Sequence, residues 1–323
     1  MTDKNNGVIE INNLTKHFGS VVAVNDLSFT VEPGHVTGFL GPNGAGKTTT
    51  LRMLLGLVRP TGGTATIGGK AYPDLEAPMH QVGAALEAAS FHPGRTAINH
   101  LKMLAPIVRV PDSRAEEVLG LVGLADVASR RVGGFSLGMR QRLALAATLL
   151  GDPQVLLLDE PANGLDPEGI AWLRQFLRML AAEGRTILIS SHMLSEVRQT
   201  VDEVVIISRG ELVHASSLKG LAKLADPHVL VRAADPEGAR QAFASENWDV
   251  RLGEKEPDQL TIRGAAASDI GAAALRHQIE LHELAEADEG LEATFLKLVN
   301  GQHTAQPVGA SETAAGSREG EQL

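Results

Sequence analysis

The chain of 323 residues contains no cysteine, which excludes disulfide bonds, thiolate catalysis, iron–sulfur clusters and zinc sites with cysteine ligands. Aromatic residues make up only 3% of it, which argues against a stacking platform for single-stranded nucleic acid. We find no apolar segment typical of a secretory signal and no run of about 18 apolar residues, the length that a membrane span needs. These absences predict a cytoplasmic protein.

Acidic and basic side chains are unevenly distributed along the chain. The formal net charge is −10, and residues 231–323 contain 17 acidic and 8 basic residues. The first 230 residues are therefore nearly neutral, and neither part has the basic surface of a nucleic-acid-binding protein. We expect no nucleic-acid partner. The change in composition near residue 225 indicates a domain boundary.

Short apolar strands alternate with amphipathic helices over residues 1–222, which is typical of an α/β fold with a largely parallel sheet. Residues 87–150 are expected to form a helical subdomain, because their apolar positions recur at intervals of three and four. The predicted strands are 8–11, 27–31, 36–40, 64–67, 155–158, 186–190 and 203–208. The predicted helices include 47–57, 137–150, 170–183 and 194–200.

The remaining residues predict a small α+β module over 226–300. Its elements follow the order β-α-β-β-α-β of a ferredoxin-like domain, and a last helix is expected at 291–299. The strands are predicted at 228–233, 248–252, 259–263 and 279–284, and the helices at 236–244 and 267–278. Residues 301–323 have few large apolar side chains, so we expect a disordered tail.

One glycine-rich segment carries a phosphate-binding signature. Residues 41–48, Gly-Pro-Asn-Gly-Ala-Gly-Lys-Thr, match the P-loop pattern, with a predicted strand before them and a helix after them. Glycines let backbone N–H groups surround a phosphate, and the helix N-terminus favours the same anion. Lys47 is expected to contact the β- and γ-phosphates, and Thr48 to ligate Mg²⁺. A glycine-rich turn without a ligand is the alternative.

Two acidic residues and a histidine follow neighbouring apolar strands. Asp159 and Glu160 end the strand 155–158, and His192 follows 186–190. The carboxyl ends of parallel strands meet at one edge of a sheet, beside the P-loop. We expect Asp159 to hold Mg²⁺, Glu160 to orient or deprotonate the attacking water, and His192 to contact the γ-phosphate. Acids that only end a strand, and a structural histidine, are the alternatives.

The order of these motifs resembles that of an ATP-binding cassette (ABC) ATPase over about residues 8–215. That resemblance implies a P-loop NTPase fold with a parallel sheet core, an antiparallel N-terminal sheet and a helical subdomain. A P-loop is followed by Phe-Ser-Leu-Gly-Met at 135–139, Leu-Leu-Leu-Asp-Glu-Pro at 156–161, Gly-Leu-Asp-Pro at 164–167 and Ser-Ser-His at 190–192. Ser136 by itself is a plausible N-cap of the helix 137–150. The resemblance implies a signature motif there, and Leu137 and Met139 resemble its variant in drug-export and antibiotic-resistance ATPases.

The family resemblance also assigns roles to individual residues. It implies that two copies of the chain pair head to tail around two ATP molecules, and that Ser136 and Gly138 bind the γ-phosphate held by the partner's P-loop. Phe18 matches the aromatic residue that stacks on adenine, although a core phenylalanine is the alternative. The expected nucleotide contacts are Phe18, Gly41, Pro42, Asn43, Gly44, Ala45, Gly46, Lys47, Thr48, Thr49, Ser136, Gly138 and Asp166. The expected catalytic residues are Glu160, His192 and Lys47.

One position departs from the family pattern. Glu87 ends the segment 82–87 where a Mg²⁺-binding glutamine is usual. A carboxylate is a better ligand for a hard cation than an amide, so Thr48, Glu87 and Asp159 are expected to bind Mg²⁺. The extra charge is expected to slow hydrolysis, and we hypothesise that Glu87 keeps the coupling role.

These observations favour the ATPase subunit of an exporter for a drug, antibiotic or lipid-like compound. Its separate membrane permease is expected to dock on residues 88–109, which places the chain on the cytoplasmic face of the membrane. The alternatives are a soluble ABC ATPase acting on nucleic acid or the ribosome, a nucleotide-gated regulator, and an importer ATPase. The export assignment is family analogy rather than physics.

Overall fold

The computed structural model describes residues 7–86, 91–224, 228–253, 256, 258–287 and 291–301. Its strands form three sheets of three, six and four strands. The strands are β1 Ile9–Phe18, β2 Val21–Val31, β3 Val36–Leu40, β4 Gly62–Ile67, β5 Val82–Ala85, β6 Val155–Asp159, β7 Thr186–Ser191, β8 Glu203–Ser208, β9 Glu211–Ser217, β10 His228–Ala233, β11 Asp249–Leu252, β12 Gln259–Arg263 and β13 Leu281–Ala287.

The six-stranded sheet has the order β5–β6–β7–β3–β8–β9, and all neighbouring pairs are parallel except β8 with β9. Successive side chains of a strand point to opposite faces. In β6, Leu156 and Leu158 therefore join one hydrophobic cluster and Val155 and Leu157 another. A strand covered on both faces reads as a continuous apolar run. The α/β prediction with a largely parallel sheet is confirmed.

A second sheet, β2–β1–β4, is antiparallel and packs over one face of the first. Its strands β1 and β2 are longer than the segments 8–11 and 27–31 that their apolar residues predicted. The additional residues are largely polar or exposed, and Gly19 turns the chain between the strands with a φ of 60°. Strand β9 was not predicted because none of its side chains is fully buried.

The helices are α1 Lys47–Leu54, α2 Pro78–Gln81, α3 Ala97–Val108, α4 Ser113–Leu121, α5 Leu137–Thr148, α6 Pro167–Ala182, α7 Leu194–Val197, α8 Leu218–Lys223, α9 Pro236–Ala244, α10 Ala267–Arg276 and α11 Leu291–Val299. Helix α1 ends before the predicted residue 57, since Gly56 has a φ of 68°, a conformation that terminates helices. Helix α6 begins earlier than predicted because Asp166 caps it and Pro167 occupies its first position.

The carboxy-terminal strands form a separate antiparallel sheet in the order β11–β12–β10–β13, with α9 and α10 against one face. This is the strand order of the split β-α-β arrangement. Helix α11, however, packs against α7, α8 and β8 of the preceding part of the chain. Its Phe295 and Leu298 belong to the large hydrophobic cluster of that part. The domain boundaries 1–222 and 226–300 remain predictions.

Three expectations fall wholly or partly on residues outside the described ranges: the role of Glu87, the docking of a permease at residues 88–90 of the segment 88–109, and the disorder of 302–323. Within the part of the chain that the structure describes, no helix combines the length and apolar character that a membrane crossing requires.

Candidate functional site

The glycine-rich loop lies between β3 and α1 at the carboxyl edge of the parallel sheet. Two of its glycines are required by close packing. A Cβ on Gly41 would lie 2.4 Å from the Ile207 carbonyl oxygen, and one on Gly46 would lie 2.6 Å from that of Ala23. Gly46 also has a φ of 104°. The loop is thus held closely against β2 and β8, where only glycine fits at positions 41 and 46.

Lys47 begins α1 and its side chain is 6% exposed. Its Nζ donates hydrogen bonds to the carbonyl oxygens of Gly41 at 2.6 Å and Pro42 at 3.3 Å. The same atom lies 3.7 Å from Oε1 of Glu160. Burial lowers the pKa of Lys47, and the charges of Glu160 and Asp159 oppose that shift. A buried ammonium group between loop carbonyls and a carboxylate is suited to binding an anionic ligand.

Thr48 and Asp159 meet in space although 111 residues separate them. The Thr48 hydroxyl donates to Oδ2 of Asp159 at 2.7 Å. The hydroxyl of Ser190 donates to the other carboxylate oxygen, Oδ1. Thr48 and Asp159 thus offer adjacent oxygen donors at the phosphate loop, the ligand chemistry that Mg²⁺ prefers. These two residues fit the metal assignment.

Glu160 and His192 form a second pair beside the loop. Oε2 of Glu160 lies 2.9 Å from Nδ1 of His192. Glu160 has a φ of 49°, and its backbone N–H donates to Ser190 Oγ at 3.0 Å. Glu196 lies close to both side chains, and the Ser191 hydroxyl donates to it at 2.9 Å. The pair lies where a carboxylate could act on a water near the phosphate loop.

Ser190 is the residue that the sequence interpretation missed. It is fully buried in β7, and its hydroxyl contacts both Asp159 and the Glu160 backbone. The sequence offered one signal: a polar residue at the end of an apolar strand, two positions before His192. Most buried hydroxyls are hydrogen-bonded, so the position of Ser190 indicated that it has partners but not which residues they are.

Ser136 and Asp166 begin two helices that face each other. Ser136 caps α5 by accepting from the Met139 N–H at 3.2 Å, and Asp166 caps α6 by accepting from the Gly169 N–H at 2.8 Å. Both residues and Gly138 line a cavity of about 190 Å³ between the helices. In the described part of the chain, their side-chain hydrogen bonds are to their own helices rather than to the phosphate loop.

Phe18 ends β1 and is 50% exposed, so it is not a core residue. The Lys16 ammonium lies 4.8 Å from the centre of its ring. An exposed aromatic face can stack on a planar ligand. Strand β5, which precedes Glu87 in the sequence, is an edge strand beside β6.

Two protein families and several relatives are similar in sequence to this chain. A family model described as ABC transporter matches residues 24–163. A domain family of unknown function matches residues 227–292. The bacitracin transport ATP-binding protein BcrA of Bacillus licheniformis is 36% identical over 300 residues, covering 91% of this chain and 98% of that protein. The lantibiotic transport ATP-binding protein SrtF of Streptococcus pyogenes is 36% identical, covering 67% of this chain and 94% of that protein.

Solved structures resemble about two thirds of the chain. An ATP-binding subunit of an ABC transporter superposes with a TM-score of 0.60 at 27% identity, covering 67% of this chain and 92% of that one. A dimeric, post-hydrolysis ATP-binding cassette bound to ADP and phosphate superposes with a TM-score of 0.59 at 24% identity, covering 65% of this chain and 98% of that one. At that identity the likeness concerns the fold alone.

Proposed function

Because this chain belongs to the ABC transporter family of ATP-binding proteins, we propose that it hydrolyses ATP to drive export of an antibiotic-like compound through a separate membrane permease. One observation carries the proposal. Lys47, the Thr48–Asp159 pair and the Glu160–His192 pair come from three strand ends and converge at the phosphate loop. A bound triphosphate would meet a cation, a metal site and a carboxylate within one cleft.

Residues 41–49 would bind the phosphates. Backbone N–H groups of the loop and the N-terminus of α1 favour the anion. Lys47 would exchange its contacts with Gly41, Pro42 and Glu160 for phosphate oxygens. Thr48 and Asp159 would hold Mg²⁺, which when bound supplies positive charge to the phosphate oxygens. Glu87 remains a candidate third ligand.

Glu160 would act on the attacking water. Its Oε2 contacts His192, and its Oε1 faces Lys47. Release of Lys47 to a phosphate leaves that oxygen free to orient the water and accept its proton. His192 would then hold the carboxylate in position and contact the γ-phosphate.

A second copy of the chain would complete the site. Ser136, Gly138 and Asp166 lie at the N-termini of α5 and α6, where the side chains of Ser136 and Asp166 cap their own helices. We propose that they contact the nucleotide bound by the other copy, while Phe18 stacks on the adenine of its own. ATP binding would close this pair and hydrolysis would reopen it.

The names of the relatives favour export. BcrA and SrtF are named as bacitracin and lantibiotic transport proteins, and this chain shares 91% of its length with the first. A groove of about 440 Å³ is lined by residues such as Leu57, Leu86 and Leu104, and so includes part of the segment 91–109. Its apolar lining suits a cytoplasmic helix of the permease. The chain would then lie at the cytoplasmic face of the membrane.

Affinity capture from detergent-solubilised membranes of the source cell tests this function. The parent chain should recover a multi-span membrane protein in stoichiometric amount. Leu57→Glu should lose it, because Leu57 is 68% exposed in the groove. Leu275→Glu is the control, since Leu275 is 83% exposed in the carboxy-terminal module. Recovery of ribosomes, DNA or only the chain itself would contradict the export function.

A further inference from the structure

The side chain of Leu137 covers Gly164. Leu137 occupies the first position of α5, directly after Ser136, and is 43% exposed. A Cβ built on Gly164 would lie 2.3 Å from Leu137 Cδ2. That separation is too short for two carbon atoms, so an alanine at 164 and a leucine at 137 cannot both keep their places.

A second contact joins the same two segments. A Cβ built on Gly138 would lie 3.5 Å from Leu165 Cδ2, at ordinary contact distance. Leu165 also lines the cavity between α5 and α6. Leu137 therefore rests on Gly164 while Leu165 lies against Gly138, and the two segments interlock through residues that are consecutive on each side.

The segment that contains Gly164 leads back to the catalytic carboxylate. It begins at Glu160, whose carbonyl oxygen accepts from the Asn163 N–H at 3.1 Å. It continues through a turn in which the Leu165 N–H donates to Ala162 at 3.1 Å, and it ends at the α6 cap, Asp166. These two turns connect Gly164 to Glu160 on one side and to the cap of α6 on the other.

We propose that Leu137 is a positioning residue that sets the spacing between residues 135–139 and residues 160–166 within one copy of the chain. This spacing allows Ser136 and Asp166 to contact the nucleotide bound by the second copy at the same time. It also keeps Glu160 in position beside the nucleotide bound by the same copy. A side chain at 164 would have to displace the end of the Leu137 side chain, which occupies that space. The inference rests on the proposed ATP-bound dimer.

Substitutions at positions 164 and 137 test the proposal, because together they distinguish the Leu137–Gly164 contact from the backbone strain of an alanine at 164. Gly164→Ala should lower the turnover number for ATP about tenfold or more. In a Glu160→Gln background it should weaken ATP-dependent dimerisation to a similar extent. Leu137→Ala removes the atom that would clash. The double variant Leu137→Ala/Gly164→Ala should therefore recover to within about threefold of Leu137→Ala alone.

Gly69→Ala is the matched control. Gly164 has a φ of 72° and Gly69 a φ of 77°, and no atom lies within 4 Å of a Cβ at Gly69. The control measures the cost of an alanine with positive φ, and it should lower the melting temperature without changing turnover or dimerisation. A purely structural role would give Gly164→Ala the same profile.

Two results would overturn the inference. In one, Gly164→Ala matches Gly69→Ala in turnover and dimerisation. In the other, the double variant stays as inactive as Gly164→Ala. A parent protein that neither hydrolyses ATP nor dimerises with it would instead refute the proposed function on which the inference rests.

Discussion

Removing the Ser190 hydroxyl should damage stability and catalysis together. Ser190 is fully buried, and its Oγ joins Asp159 Oδ1 to the backbone N–H of Glu160. Ser190→Ala deletes one hydrogen bond to a carboxylate, about 1.5–3 kcal/mol, and one between neutral groups, about 1 kcal/mol. The free energy of unfolding should fall by about 2.5–4 kcal/mol.

Removal of the Ser190 hydroxyl should also slow ATP hydrolysis, because this hydroxyl positions Asp159 and Glu160. Without it, Asp159 loses one of its two side-chain hydrogen bonds among the described residues, and the backbone N–H of Glu160 loses its hydrogen bond to Ser190. A displacement of about 1 Å in a catalytic group can lower a rate about 100-fold. We expect the turnover number for ATP to fall about 10- to 100-fold, while the affinity for nucleotide without metal changes little.

Urea unfolding and steady-state phosphate release measure the two effects. Thr186→Val is the control, because Thr186 is also fully buried in β7 but its hydroxyl donates to Gly7 at 2.7 Å, at the other end of the strand. The control should lose about 1 kcal/mol of stability and keep its turnover. If Ser190→Ala hydrolyses ATP within twofold of the parent, the positioning argument is wrong.

Three further predictions concern single side chains. Glu160→Gln should slow phosphate release about 10²- to 10⁴-fold and yield a stable dimer with Mg-ATP in light scattering, and a monomer would contradict the dimeric site. Phe18→Ala should weaken ATP binding about tenfold by calorimetry, whereas Phe18→Trp should not. If Phe18→Ala binds ATP as tightly as the parent protein, Phe18 does not stack on the adenine. Burial, aided by the charge of Arg95, lowers the pKa of His100. Just below the ordinary pKa of 6.5, the unfolded chain therefore binds more protons than the folded chain. The free energy of unfolding falls as the pH decreases from 6.5 towards the lowered pKa of His100. His100→Gln should flatten that part of the pH–stability curve, and an unchanged curve would refute the assignment.

Local chemistry explains why the phosphate loop and the acids could be predicted. The pattern of residues 41–48 depends on backbone freedom and on two side chains that are neighbours in the sequence. Asp159 and Glu160 follow an apolar run that is buried on both faces of the sheet. The parallel arrangement of such strands then implied a common edge. The α/β class, which the structure confirms, could be predicted because strands and helices alternate along the sequence.

Longer-range packing explains the differences. The exposed parts of β1, β2 and β9 lack apolar alternation, and only pairing with neighbouring strands defines them. Helix α11 follows the carboxy-terminal sheet in sequence, yet its apolar face is covered by α7, α8 and β8. No local pattern states which apolar surface a helix will cover.

The phosphate loop, the acidic pair and the class of fold could be predicted, because each depends on residues close together in the chain. The contacts of the Ser190 hydroxyl with both acids, and of Leu137 with Gly164, became visible only in three dimensions. These contacts join segments about 30 residues apart, and their geometry depends on how whole strands and helices pack.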